Sequence, residues 1–211
     1  MSKYHTEKIE GIVVKTFASG DCDLVLKAIC SPGSKMSLFA KHVRQGKRRF
    51  GFGLELFDHG FFEISRHTGS LVNVRNFSSV HSFGGIRSDL NKLTAATLLA
   101  ESFEALVHEE EGPGTWPLSL LLAGLQGIES SQQAQTILRS TYLCLSHLLI
   151  RAGFKDSSSI GTPSSKKLTS IIDEIEFYSE RQLMCKRMMQ DLIEETKHMI
   201  LNAQKVLAAN V

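Results

Sequence analysis

The sequence lacks most of what would commit it to a staple, a metal centre or a catalytic centre. Only four of its 211 residues are cysteine, and Cys22, Cys30, Cys144 and Cys185 form no C-x-x-C pair. Cys144 and His147 fall three apart on a predicted helix, but zinc normally takes four ligands and no second pair lies nearby, so no metal is expected. Neither a signal peptide nor a membrane-spanning apolar run is present, so a cytoplasmic chain with reduced cysteines and no membrane partner is expected. G-x-S-x-G, G-x-x-x-x-G-K-[ST] and H-E-x-x-H are missing, the eight histidines are dispersed, and Gly51-Phe52-Gly53 is too short for a phosphate cradle. These absences argue against an enzyme. Also missing is any acidic residue between Asp23 and Glu55.

That acid-free interval holds the most informative stretch, from Gly33 to Gly53. It places Lys35, Lys41, Arg44, Lys47, Arg48 and Arg49 close together, with Phe39, Phe50 and Phe52 interleaved. Cations neutralise phosphates and release counterions, while rings give unpaired bases a surface to stack on, so the pattern suits a nucleic-acid strand. The six cations are therefore candidate phosphate contacts, with Phe50 or Phe52 stacking and Phe39 assigned to the core. Arg66 and His67 are further candidates in a second turn. The same stretch also reads as a solvated basic loop whose rings belong to flanking strands. Charge is unevenly shared: residues 1–80 carry a net +5 and residues 81–211 a net −3. Such asymmetry points to a polyanion in front and a scaffold or protein-binding role behind.

Residues 8–17, 24–30, 35–40, 54–65 and 71–77 are rich in apolar and β-branched residues and are separated by turn residues, which predicts five strands. Five short strands with one long glycine-flanked basic loop fit an OB-type barrel, and an SH3-like barrel fits almost as well. The expected architecture is α+β: a five-stranded barrel over 1–80, followed by an all-helical domain over 81–211. In the second part, Ser88 is the expected cap of a helix running to Val107, and Trp116-Pro117 opens another to Glu129. Gln132 to Ala152 forms a third amphipathic helix. Residues 155–167 read as an exposed loop, 168–177 as a further helix, and S-E-R-Q at Ser179 as the capping box of the last helix. Met184, Met188, Leu192, Thr196, Met199, Ala203 and Val206 are expected along one side of that helix, as core or as an adaptable groove.

Several segments together resemble a known family: E-G-I-V-V-K-T, G-D-C-D-L-V-L-K-A-I-C, S-P-G-S-K-M-S-L-F-A-K-H-V-R, S-R-H-T-G-S-L-V-N-V and R-S-D-L-N-K-L-T-A-A-T-L-L-A-E-S-F-E-A-L. In order and spacing, over roughly residues 8–153, they are similar to the RecO recombination mediators of bacterial DNA repair. The resemblance implies an N-terminal OB fold, a helical C-terminal domain, binding of single- and double-stranded DNA, annealing of complementary strands, and a bacterial, nucleoid-associated location. It implies as partners the C-terminal tail of the single-stranded-DNA-binding protein SSB, RecR and, indirectly, the recombinase RecA. For the acidic, apolar SSB tail it implies a helical pocket edged by a cation, with Arg139 ahead of the run from Tyr142 as one choice and Arg151 as the other. Many members carry a four-cysteine zinc site where this chain has Lys155-Asp156-Ser157-Ser158-Ser159, so no zinc or other cofactor is expected. The terminal N-A-Q-K-V-L-A-A-N-V also lacks the family's basic finish. An RNA-binding OB protein and a protein-binding adaptor with an incidental basic loop are the competing readings.

Overall fold

Alternation of apolar and polar residues in the front half produces five strands, β1 (His5–Ser19), β2 (Asp23–Ser31), β3 (Ser34–Ala40), β4 (His59–Arg66) and β5 (Val72–His81). The computed structural model describes residues 5–32, 34–43, 54–66, 72–109 and 114–209. The strands close in the order β1-β2-β3-β5-β4, with only the β3–β5 pair parallel. That order is an OB barrel and decides against the SH3-like alternative. Closure depends on the length of β1, whose first half pairs with β4 while its second half pairs with β2. The two pairings overlap at Glu10–Ile12, and a bulge between Val13 and Lys15 shifts the β1–β2 register.

Inside the barrel, Ile9, Val13, Leu26, Ala28, Leu38, Ala40, Phe62, Ile64 and Val74 form the core. Successive strand residues point to opposite faces, so Val25, Lys27, Ser37 and Phe39, which alternate with core members, face outward. Phe39 is half-buried on that outer surface, which corrects its assignment to the core.

The expected strand over 54–65 begins only at His59. Before it the chain turns: the Glu55 amide donates to the Asp58 carboxylate at 2.9 Å, the Phe57 amide donates to the Val13 carbonyl at 2.9 Å, and the Val13 amide donates to the Asp58 carbonyl at 3.0 Å. The last two satisfy the Val13 backbone groups just beyond the end of the β1–β4 register at Ile12. Phe57 is 1% exposed at φ 71°, a conformation bulky residues avoid, and the turn holds it there.

The helices are α1 (Gly84–Arg87), α2 (Leu90–Leu106), α3 (Trp116–Ser130), α4 (Ala134–Arg151), α5 (Ser165–Ser179) and α6 (Lys186–Ala209). The chain divides into two compact units, one of residues 1–84 with 103–122 and the other of 85–102 with 123–211. A single division near residue 80 therefore does not describe it. The end of α2 and the start of α3 belong with the barrel.

In the second unit α2 is capped by Asp89, not Ser88. The Asp89 carboxylate accepts from the amides of Asn91 and Lys92, while the Ser88 hydroxyl donates back to the Gly85 carbonyl. α4 buries Ile137, Leu138, Thr141, Tyr142, Leu145, Leu148 and Leu149 at helical spacing. α3 meets α4 at Gly124, where a Cβ would stand 2.6 Å from the Cys144 sulfur and 2.9 Å from Leu99. Only a glycine permits that approach.

The last helix starts seven residues later than the Ser179 capping box suggests. Ser179 ends α5, and Glu180 adopts a left-handed conformation at φ 53°. The Leu183 amide then donates to the Glu176 carboxylate at 2.9 Å and the Cys185 amide to the Glu101 carboxylate at 3.1 Å, so side-chain partners hold this stretch in turns rather than helix. Lys186 opens α6 and reaches Asp173 at 2.8 Å and Glu176 at 2.6 Å. The buried stripe of α6 is Met189, Leu192, Ile193 and Thr196, whereas Met184, Met188 and Met199 are exposed. The side chains of Ala203 and Val206 lie outside the described residues.

Candidate nucleic-acid interface and partner pocket

β3 leads directly into the basic segment. Its end is pinned by the His42 amide, which donates to the Asp23 carboxylate at 2.8 Å. Arg44, Lys47, Arg48, Arg49, Phe50, Phe52 and His67 lie outside the described residues. Their flanks do not: Val43 and Leu54 are both part of the barrel core. Lys41 is exposed, with its ammonium 5.7 Å from the centre of the Phe39 ring. Two more lysines rest over rings in the same way, Lys15 over Phe17 at 5.2 Å and Lys8 over Phe61 at 4.7 Å. Arg66 is exposed at the end of β4 and pairs with Glu7 at 3.4 Å.

Lys35 is a different kind of residue from the one its sequence context suggests. It is 8% exposed, and its ammonium donates to the Glu104 backbone carbonyl. Glu104, in the last turn of α2, is itself buried among three lysines: Lys27 at 2.7 Å, with Lys35 and Lys15 each at 4.0 Å. Burial alone would raise the Glu104 carboxyl. The hydrogen bond and charge of Lys27, helped by Lys35 and Lys15, overcome that and hold it below its ordinary value. The Lys35 amide also donates to the His108 carbonyl at 3.3 Å, and the Ser37 hydroxyl to Glu109 at 3.2 Å. Residues 104–109 thus cover one end of the β2–β3 outer face, and Lys35 is removed from the set of phosphate candidates by its burial.

In the helical unit, Arg139 and Tyr142 come together at one cavity of about 290 Å³. Leu138 and Tyr142 from α4, Leu168 from α5 and Ile200 from α6 supply its apolar walls. Arg139 is exposed at the rim, and the Tyr142 hydroxyl donates to the Gly161 carbonyl at 3.3 Å. Ser164 and Ser165 also line it, which brings in the amino end of α5, where Ser164 accepts from the Lys167 amide. An arginine and a helix amino terminus beside an apolar cavity favour an anionic, apolar guest. Arg151, exposed at the far end of α4, does not line it. The family resemblance implied Arg139 ahead of the run from Tyr142, but the contributions of Leu168 and Ile200 depend on packing between helices far apart in sequence.

The turn after α4 holds Lys155, Asp156 and three serines. Ser157–Ser159 form a single 3-10 turn after Asp156, and Lys155 pairs with Glu174 at 2.7 Å. Hydroxyls and one carboxylate do not fit the thiolate and imidazole chemistry of structural zinc. Cys144 and Cys185 are pushed by burial to about 12 and about 11, which keeps them as thiols. Among the described residues no group of three or more His, Cys, Asp or Glu side chains is placed to hold a metal, and no helix is long and apolar enough to cross a membrane.

Comparison with known proteins bears on both units. Residues 1–83 match the family model for the recombination protein O N-terminal domain. The chain is 31% identical over 134 residues to the DNA repair protein RecO of Anaeromyxobacter sp. strain K, covering 63% of this chain and 52% of that relative. It is 27% identical over 171 residues to the DNA repair protein RecO of Pelobacter propionicus, covering 81% and 69%. With that of Macrococcus caseolyticus it shares 28% over 131 residues, covering 62% and 51%. The chain thus spans about half the length of the Anaeromyxobacter and Macrococcus relatives. The closed OB barrel coincides with the region that matches the recombination protein O N-terminal domain.

Proposed function

We propose that this chain is a DNA-binding recombination mediator in DNA repair. In this reading the barrel binds single- and double-stranded DNA and brings complementary strands together. The helical pocket takes the C-terminal tail of SSB, and with RecR the chain helps RecA load. The observation that carries the reading is an OB barrel of the RecO N-terminal family whose third strand runs into the cationic segment from Lys41 to Arg49. The pocket supports the partner half, because its apolar walls and the Arg139 rim match an acidic, apolar peptide end.

The mechanism needs no covalent step. Two phosphate backbones repel, and a surface that neutralises both while leaving base edges open lowers the barrier to pairing. Lys41, Arg44, Lys47, Arg48 and Arg49 would supply the charge, with Arg66 at the end of β4 as a further contact.

The test is fluorescence anisotropy of a labelled single-stranded DNA at several salt concentrations, run beside annealing of a complementary pair. Binding should weaken with salt by a slope of about −0.7 per phosphate contacted. Annealing should accelerate, and a variant with Lys47, Arg48 and Arg49 changed to Ala should lose both. Failure of the unaltered chain to bind or anneal DNA at low salt would sink the proposal.

A further inference from the structure

We infer that the turn joining α5 to α6 is a docking surface for a second copy of this chain, with Phe177 of each copy seated in a hollow of the other. Phe177, in the last turn of α5, is 78% exposed, and Met184, at the entry to α6, is 83% exposed. The Phe177 ring meets that of Tyr178 edge-on at 5.5 Å, and Tyr178 stacks on Phe154 at 4.4 Å, so the projecting ring is braced by two others. Met184 and Met188, read from the sequence as core or as an adaptable groove, are both exposed, which leaves the groove. Glu176, the chain neighbour of Phe177, lines an open hollow of about 440 Å³ together with Leu183, Met184, Lys186 and Arg187. A cavity of about 150 Å³ already accepts a benzene ring, so the hollow has room for a phenylalanine. One surface thus carries both a knob and a hole, and a two-fold rotation presents each to the other, which is the self-complementarity an isologous dimer requires.

Charge selects the occupant. Within the hollow Lys186 is committed to Asp173 at 2.8 Å and Glu176 at 2.6 Å, which leaves the exposed Arg187 to meet what enters. The ring that enters is flanked by acids: Asp173, one turn back on the same face of α5, and Glu180 at its C-cap are both exposed. Arg187 of one copy therefore meets the Phe177 ring and the Glu180 carboxylate of the other. The same acids repel phosphate, which sets this surface apart from any contact with DNA. Phe177, Tyr178, Met184 and Met188 together leave roughly 500 Å² in water, an apolar centre for an interface whose standard size is about 800 Å² a side. The dimer stands independently of the DNA-binding reading. Only its use rests there: a particle with two barrels can hold the two strands that annealing brings together.

The experiment is analytical ultracentrifugation of the full chain over a concentration series from about 1 to about 200 μM. The mass should rise from that of one chain toward that of two. Phe177→Ala and Arg187→Glu should each weaken association by at least about ten-fold, and adding Glu180→Arg to Arg187→Glu, which exchanges the two charges, should recover most of that loss. All three side chains are exposed, so the variants should keep the circular dichroism and urea midpoint of the unaltered chain. An unaltered chain that stays a monomer at the highest concentration overturns the inference, as does a Phe177→Ala chain that associates like the unaltered one. A monomeric chain that takes up an acidic peptide ending in phenylalanine, and loses it on Arg187→Glu, assigns the hollow to another protein and overturns the inference equally.

Discussion

The two ends of one barrel face put lysines to opposite uses. At the end covered by residues 104–109, Lys27 and Lys35 are committed to Glu104, and their charge is spent within the fold. At the other end Lys41 is exposed over Phe39, and Lys15 stands between the two environments, 5.2 Å from Phe17 and 4.0 Å from Glu104. Lys35 and Lys41 are six residues apart and sit on the same short acid-free stretch. What separates them is a carboxylate nearly seventy positions away, with |i−j| of 69 between Lys35 and Glu104. A cation's role is set by its nearest opposite charge in space, and local composition does not report it.

The largest expected effect is at the committed end. Glu104→Ala should cost about 3 kcal/mol, because it removes the buried carboxylate around which Lys27, Lys35 and Lys15 are gathered. Urea unfolding measures this, and a loss near zero would mean that Glu104 does not hold the segment to the strands. Lys35→Ala should cost about 1–2 kcal/mol, less because Lys27 still pairs with Glu104, and should leave the salt slope of DNA binding unaltered. The same clamp predicts acid sensitivity. Since folding lowers the Glu104 carboxyl below its ordinary 4.5, its contribution is complete above that value and is lost as pH falls through the lower folded one. Stability followed by urea titration down to about pH 3 should therefore fall more steeply for the unaltered chain than for Glu104→Gln.

At the open end the signs reverse. Lys41→Ala should change stability by less than about 0.5 kcal/mol and reduce the salt slope for single-stranded DNA by about 0.7. Should Lys35→Ala lower the slope and Lys41→Ala lower the stability, the contrast between the two ends is wrong. The smallest effect on the barrel is expected from Arg139→Ala. It should leave DNA affinity and its salt dependence unchanged while weakening an acidic C-terminal peptide of the SSB type by about ten-fold, as read by peptide anisotropy. Arg151→Ala, which lies about 18 Å along α4 from Arg139, should leave peptide binding unaltered.

Much of the architecture was legible in the residues because it rests on local periodicity. The alternation in L-V-L-K-A-I-C and K-M-S-L-F-A, and the turn residues between them, specify strands whatever surrounds them. Helix caps were less legible: Ser88 and Asp89 are both acceptable caps, and the choice falls to whichever oxygen reaches the Asn91 and Lys92 amides. Ser179 carries a capping-box pattern, yet it ends a helix because Glu176 and Glu101 take the next free amides. Phe17 went unremarked beside the basic loop, although its phase with Lys15 on β1 places both on one side of the strand.

The sequence by itself determined a basic strand-rich front, an acidic helical back, the positions of most elements and a composition without catalytic or metal-binding signatures, since these depend on charge, spacing and short-range preference. Tertiary structure alone decided that the barrel closes as an OB fold, that the chain divides with residues 103–122 beside the strands, that Lys35 is buried, and that Leu168 and Ile200 meet Arg139 at one cavity. The reason is physical: strand order and burial are set by long-range pairing and packing, whose energies depend on which distant residues meet and leave no periodic trace along the chain.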